Sequence, residues 1–181
     1  MIFRNIPNCH HRPSTSQKIR SSLFAQKAWA NRELFDVLAS IEPTENAACI
    51  QTALRTLNHI YIVDRIFYAH LLSEKHLYTA TNTPQTPELG KLHLAVTETD
   101  QWFEDFVSRI GDQALAESLS FQFTDGDSGR MTREEMLFHV ITHGAYHRGN
   151  VGQVLKSISV APPRDLYTKF LHGQEPSRRQ A

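Results

Sequence analysis

Between Leu57 and Leu72 the chain is apolar on almost every side of a helix. Leu57, Ile60, Tyr61, Ile62, Val63, Ile66, Phe67, Tyr68, Leu71 and Leu72 leave no continuous polar face. Such a helix is stable only when other elements surround it. No apolar run approaches the roughly 20 residues that would span a bilayer. The surroundings must therefore be protein.

The periodicity elsewhere supplies candidate partners. Leu23, Ala30, Leu34, Val37 and Leu38 recur at three- and four-residue steps, which predicts a helix from Gln17 to Ile41, stopped by Pro43. The apolar run lies in a second helix, Thr44 to Tyr78, with Thr44 as its N-cap. Residues 79–89 have loop chemistry. A third helix spans Gly90 to Ile110, with Leu92, Val96, Trp102, Phe103, Phe106 and Val107 on its apolar side and Gly111 as its stop. Ser118 to Phe123 alternates as a strand does, and Asp125 to Gly129 makes a turn. As a calcium loop that turn fails, since Arg130 and Met136 stand where glycine and glutamate are needed. Thr132 and Glu135 form a capping box that opens a fourth helix, Thr132 to Ser159, ending before Pro162-Pro163. A short helix covers Arg164 to Leu171.

The predicted fold is all-α. It is a four-helix bundle with long crossover connections, a small hairpin before the last long helix, and a short C-terminal helix. The bundle takes residues 17–173, between a flexible arm (1–16) and a flexible tail (174–181). The arm holds Cys9 and the pair His10-His11, read as solvated. A length of 181 residues fits one such domain, with 40% hydrophobic and 21% charged residues.

Charge excludes several functions. Lys plus Arg and Asp plus Glu number 19 each, so neither nucleic acid nor a membrane surface is an expected partner. Two cysteines are too few for a disulfide framework or a thiolate metal cluster. Met1 to Arg20 lacks the apolar stretch of a secretory signal. A cytoplasmic protein is expected.

The chain has ten histidines, and the fourth helix organises some of them. At about 100° per residue, Met136, Val140, Val151, Val154 and Ile158 fall on one buried arc. His147 lies in the middle of it and His143 at its edge, with His139 and Asn150 just outside. An unpaired polar group buried there costs about 1–3 kcal/mol, so both rings need partners. Spacing of i, i+4 stacks two imidazoles on one face, where both can bind one cation. A third ligand must come from another helix, and His59 in the apolar run is the candidate. A hydrogen-bonded core pair satisfies the same spacing, and both readings stay open on these residues alone.

The same segments resemble a known family. Thr142-His143-Gly-Ala-Tyr-His147-Arg148-Gly149-Asn150 resembles the H-x-x-x-H-R-G-Q signature of DinB/YfiT-like proteins. Trp29-Ala30-Asn31-Arg32-Glu33-Leu34 resembles their W-A-N-x-x-L stretch. Leu57-Asn58-His59-Ile60, followed by Asp64, resembles their second-helix histidine segment. The likeness runs from about Phe24 to Leu171. It implies a metal-binding four-helix bundle, often a homodimer, in which His59, His143 and His147 hold a divalent metal. Asn150 replaces the family's usual glutamine, which shortens any contact made from that position.

Three imidazoles favour zinc or nickel, with iron, cobalt or copper also suited, over magnesium or calcium. Three protein ligands leave coordination positions open, as in catalytic zinc sites. The resemblance implies a metal-dependent S-transferase using a low-molecular-weight thiol such as bacillithiol, mycothiol or glutathione. Arg148 is expected in a surface salt bridge or a helix-end contact, turned away from the metal. A metal-dependent hydrolase is the alternative. It lacks the glutamate of an H-E-x-x-H helix, and Asp64, Asp100 and Glu104 are candidates only for support behind the ligands. The third reading is a stress-associated metal-binding protein that is not an enzyme.

Overall fold

The computed structural model describes residues 14–179. Cys9, His10 and His11 lie outside the described residues. Ser14 caps the first helix by accepting from the Gln17 amide at 3.2 Å, so helix begins inside the stretch expected as an arm. The helices are α1 (Thr15–Ala39), α2 (Pro43–Leu71), α3 (Leu89–Arg109), α4 (Asp112–Leu115), α5 (Arg133–Ser157) and α6 (Tyr167–Gln174), followed by a 3₁₀ turn at Pro176–Arg178. Strands β1 (Ser118–Gln122) and β2 (Ser128–Thr132) form an antiparallel hairpin, with Phe121 opposite Gly129. This is the expected helical bundle. No described helix is long and apolar enough to cross a membrane.

Several boundaries differ from expectation for local reasons. Pro43 begins α2 instead of ending α1; its fixed φ suits the first helical position, and Glu42 rather than Thr44 is the N-cap. The second helix stops at Leu71, not Tyr78. Ser73 takes a left-handed φ of 58°, the Glu74 amide reaches the Ala69 carbonyl at 2.8 Å, and the Ser73 amide reaches His70 at 2.9 Å. That is a Schellman stop built on serine. The same device, with Ser159 at φ 60°, ends α5. Neither stop carries the glycine that would have marked it. At Thr132 the capping box forms as expected, with the Glu135 carboxylate on the Thr132 amide at 2.7 Å.

The four long helices close in the order α1, α3, α2, α5, with α1 packed on α3 and α2 on α5 most extensively. Two apolar clusters occupy the ends of the bundle. One holds Leu34, Leu38, Leu54, Leu57, Leu92, Val96, Val151 and Leu155; the other holds Phe24, Val63, Phe67, Phe103, Val107, Met136 and Val140. Following each helix from one cluster to the other gives its direction: α1 and α5 run one way, α2 and α3 the other. The α2–α3 connection must therefore return along the bundle, and residues 72–88 do so. The 110–132 connection, carrying α4 and the hairpin, stays at the end where α3 stops. There Leu119, Phe121 and Met131 pack on the second cluster.

A charged layer separates the clusters. Lys27 of α1 is 1% exposed, and its Nζ lies 2.7 Å from Asp64 of α2 and 2.5 Å from Asp100 of α3. Asn31 donates to the second oxygen of Asp100 at 2.7 Å. Arg148 of α5 donates to Asn31 Oδ1 at 3.4 Å and pairs with Asp165 at 2.7 Å, and Gln26 also donates to Asp165. Burial alone would depress Lys27, but Asp100 and Asp64 outweigh it and raise it above its ordinary value. Burial pushes Asp64 up to about 6 against the pull of Lys27. Gly144 leaves room for this layer: a Cβ there would stand 3.1 Å from Arg148 Nη1 and 3.7 Å from Lys27 Cε.

Removing one partner of a buried ion pair leaves uncompensated charge, at a cost of about 3–5 kcal/mol. Lys27→Met strands two carboxylates at once. Urea unfolding of this variant at neutral pH is expected to show a loss in that range, with an unchanged slope; a loss below about 1 kcal/mol would mean that water reaches the layer.

Candidate metal centre

His59 projects from α2, and His143 and His147 from α5 one turn apart, their neighbours Ile60, Gly144 and Arg148 meeting Lys27 at the charged layer. Ring centroids are 4.9 Å apart for His59 and His143, 4.6 Å for His59 and His147, and 4.4 Å for His143 and His147. One nitrogen from each ring lies within 4.8 Å of the others, an arrangement that could hold a metal ion. The His59 and His143 Nε2 atoms stand 3.0 Å apart. Zn–N bonds of about 2.0–2.1 Å at tetrahedral angles require N···N separations of roughly 3.3 Å, so the spacing suits one shared ion. Among the described residues no carboxylate or thiol joins the group.

The neighbours prepare these nitrogens as donors. His59 Nδ1 lies 2.8 Å from the carbonyl oxygen of Thr81, in the returning connection. With Nδ1–H donating there, the proton is off Nε2 and its lone pair faces the other rings. Asn58 donates to Asn82 and, at 2.7 Å, to Thr83 Oγ1, and Arg55 donates to the Thr83 carbonyl, so the connection is pinned beside His59. Burial, then His147, His59, His139 and Lys27, pushes His143 down to about 3. Burial and His59 lower His147. The lowered basicity of these two rings favours the neutral imidazole, the form that binds a cation.

The α5 arc needs correction. Its buried line runs through Met136, Leu137, Val140, Gly144, Arg148, Val151 and Leu155, while Val154 and Ile158 are half-buried. His143 and His147 flank this line, and His59 is half-buried instead of enclosed. Arg148, expected at the surface, is 4% exposed, because Asp165 and Asn31 satisfy its charge inside. Asp64 and Asp100 hold Lys27, and Glu104 does not join the cluster either. His139 stacks on His143 at 5.3 Å and lies tilted against Phe67 at 4.5 Å, outside the ligand group. Asn150 is exposed. His93 stacks on Phe35, and the His70 and His76 rings lie 5.1 Å apart with no third donor among the described residues.

Residues 14–179 match the family model described as the DinB family. The chain belongs to that family. It is similar to Protein DinB of Bacillus subtilis (strain 168), being 25% identical over 162 residues that cover 82% of this chain and 91% of that protein. In this DinB-family chain all three resemblance segments reach one level of the bundle: the tryptophan-helix segment through Asn31, and the other two through the histidines.

Lys27 and Thr81 are not among the sequence candidates, and Asn31 is named only within the tryptophan-helix segment, with no partner assigned. Lys27 and Asn31 do follow Phe24 at helical steps of three and four, so the stripe itself carried a signal: charge and amide where periodicity asks for carbon. Thr81 carried none, because it contributes a carbonyl oxygen.

Removing the His147 ring is expected to empty a three-histidine site, whereas removing His139 is not. Elemental analysis of purified protein should find His147→Ala with most of its metal gone and His139→Ala near wild type. Equal loss in the two variants, or a metal-free wild type, would reject the ligand set.

Proposed function

We propose that His59, His143 and His147 hold one divalent transition metal, zinc or nickel, and that the protein is a cytoplasmic S-transferase using a low-molecular-weight thiol. The convergence of three nitrogen donors from two helices, with no further protein donor in the group among the described residues, carries this reading. A divalent ion in such a set supplies a coordination position at which a thiol is held as thiolate.

The chain's own groups would then do the following. Thr81 fixes the His59 tautomer through its carbonyl oxygen. The Lys27–Asp64–Asp100 layer holds α1, α2 and α3 in register behind the site. Arg148, tied to Asp165 and Asn31, anchors the turn of α5 that carries the histidine pair. The thiol loses its proton to solvent, its sulfur attacks an electrophilic carbon, and the leaving group departs with the bonding pair as the C–S bond forms.

Transfer is favoured over hydrolysis by the placement of the carboxylates. A hydroxide mechanism calls for a base beside the site, yet Asp64 and Asp100 are committed to Lys27, and among the described residues no acidic group joins the histidines. Incubating metal-loaded protein with bacillithiol, mycothiol or glutathione and a chlorinated or epoxide electrophile is expected to give a thioether faster than the metal-free protein does. No product above the metal-free control with any of the three thiols would defeat the transferase reading.

The protein is further proposed to be a homodimer. On α5, Phe138 and Tyr146 are 65% and 70% exposed, and they share a face with Thr142, Ala145 and Gly149. Light scattering at micromolar concentration should report twice the chain mass, and Phe138→Asp together with Tyr146→Asp should halve it. A wild-type monomer would refute the proposal.

A further inference from the structure

A cavity of about 340 Å³ opens directly beside the histidine cluster, and His59 and His143 form part of its wall. Val63, Ile66 and Phe67 of α2 line one side. Phe121, Phe123 and Met131 of the hairpin line the other. Among the described residues no Asp, Glu, Lys or Arg borders it. Its aromatic walls are set at angles to one another: Phe67 meets Phe121 at 6.1 Å and 61°, and Phe121 meets Phe123 at 4.9 Å and 72°. Rings so arranged receive a flat aromatic group face-on and edge-on.

The hairpin places the outer wall through Gly129. A Cβ there would stand 2.6 Å from the Phe121 ring and 2.8 Å from the Phe123 ring, so the bare backbone is what lets both rings lie against the strand. Phe123 remains 46% exposed at the cavity's rim, an apolar group that an occupant would cover. The volume lies at the low end of the range for small-molecule sites, which suits a molecule of one to three rings.

We propose that this cavity binds the uncharged aromatic body of the substrate and thereby sets which electrophile reaches the histidine cluster. Catalytic use of the cavity rests on the transferase reading; occupancy by an uncharged aromatic molecule does not. Away from the histidine cluster, a charged or strongly hydrated substrate finds no counter-charge on the walls lined by Val63, Ile66, Phe67, Phe121, Phe123 and Met131 and would give up its hydration on entering.

The uncharged dye N-phenyl-1-naphthylamine tests occupancy directly, because its emission rises in apolar surroundings. Titrated into the full-length protein, it should bind saturably at one site per chain. Met131→Trp, on the hairpin, and Val63→Trp, in α2, each fill the cavity and should weaken binding at least tenfold. Leu94→Ser, on the exposed face of α3, should leave it unchanged. Circular dichroism identifies a variant that fails to fold, and Met131→Trp keeps the test alive if Val63→Trp does. Non-saturable binding, wild-type affinity in a folded Trp variant, or loss of binding in Leu94→Ser would overturn the proposal.

A second arm compares benzyl chloride with chloroacetate as electrophile. The proposal expects at least a tenfold preference in kcat/KM for benzyl chloride, abolished by Met131→Trp. If the dye binds as expected and neither electrophile reacts, the transferase reading falls and the aromatic site stands. If both react and chloroacetate is preferred, the cavity does not set the electrophile.

Discussion

One buried ammonium group ties the bundle together. Lys27 reaches from α1 to carboxylates on α2 and α3, so three helices share a single charge at mid-height. Apolar clusters on either side tolerate some sliding, because a leucine contact is non-directional. The lysine does not, since moving any of the three helices by one turn would strand charge in the core. Asn31 and Arg148 extend the constraint to α5 and Asp165. The vertical register of the bundle is therefore an electrostatic property, while its cohesion is a hydrophobic one.

The histidine cluster follows from that register. Gly144 and Arg148, which accommodate and extend the charged layer, each stand next in sequence to a cluster histidine. Whatever seats them in the layer also directs His143 and His147 to its flank, toward α2. Two systems with opposite electrostatic demands thus occupy adjoining positions of one helix. The inner one holds fixed charges in balance, and the outer one keeps imidazoles uncharged and ready to donate. Burial serves both, by strengthening the pairs inside and by lowering the basicity of His143 and His147 outside.

Much of this was legible in the residues. Four helices, the hairpin and the capping box at Thr132 follow from periodicity and local chemistry, and the i, i+4 pair on α5 pointed to the cluster. Reading the buried arc of α5 from apolar residues alone displaced it, because Arg148 is buried by virtue of its partners and Gly144 by virtue of having no side chain. The end of α2 was hidden for a different reason. Serine adopts a left-handed conformation at Ser73 without the glycine that announces one. The contact of Thr81 with His59 was beyond reach, since any residue type offers a carbonyl oxygen and only the path of the crossover brings this one there.

That path has a consequence for how the protein can vary. The ring that α2 contributes is steadied by backbone, so residue 81 is free to change in identity while the contact persists. The length of the crossover is not free in the same way. An insertion or deletion between the Ser73 stop and the Asn82 anchor would shift the carbonyl along α2 and release the His59 proton to either nitrogen. Drift in this lineage would thus spare spelling and punish spacing.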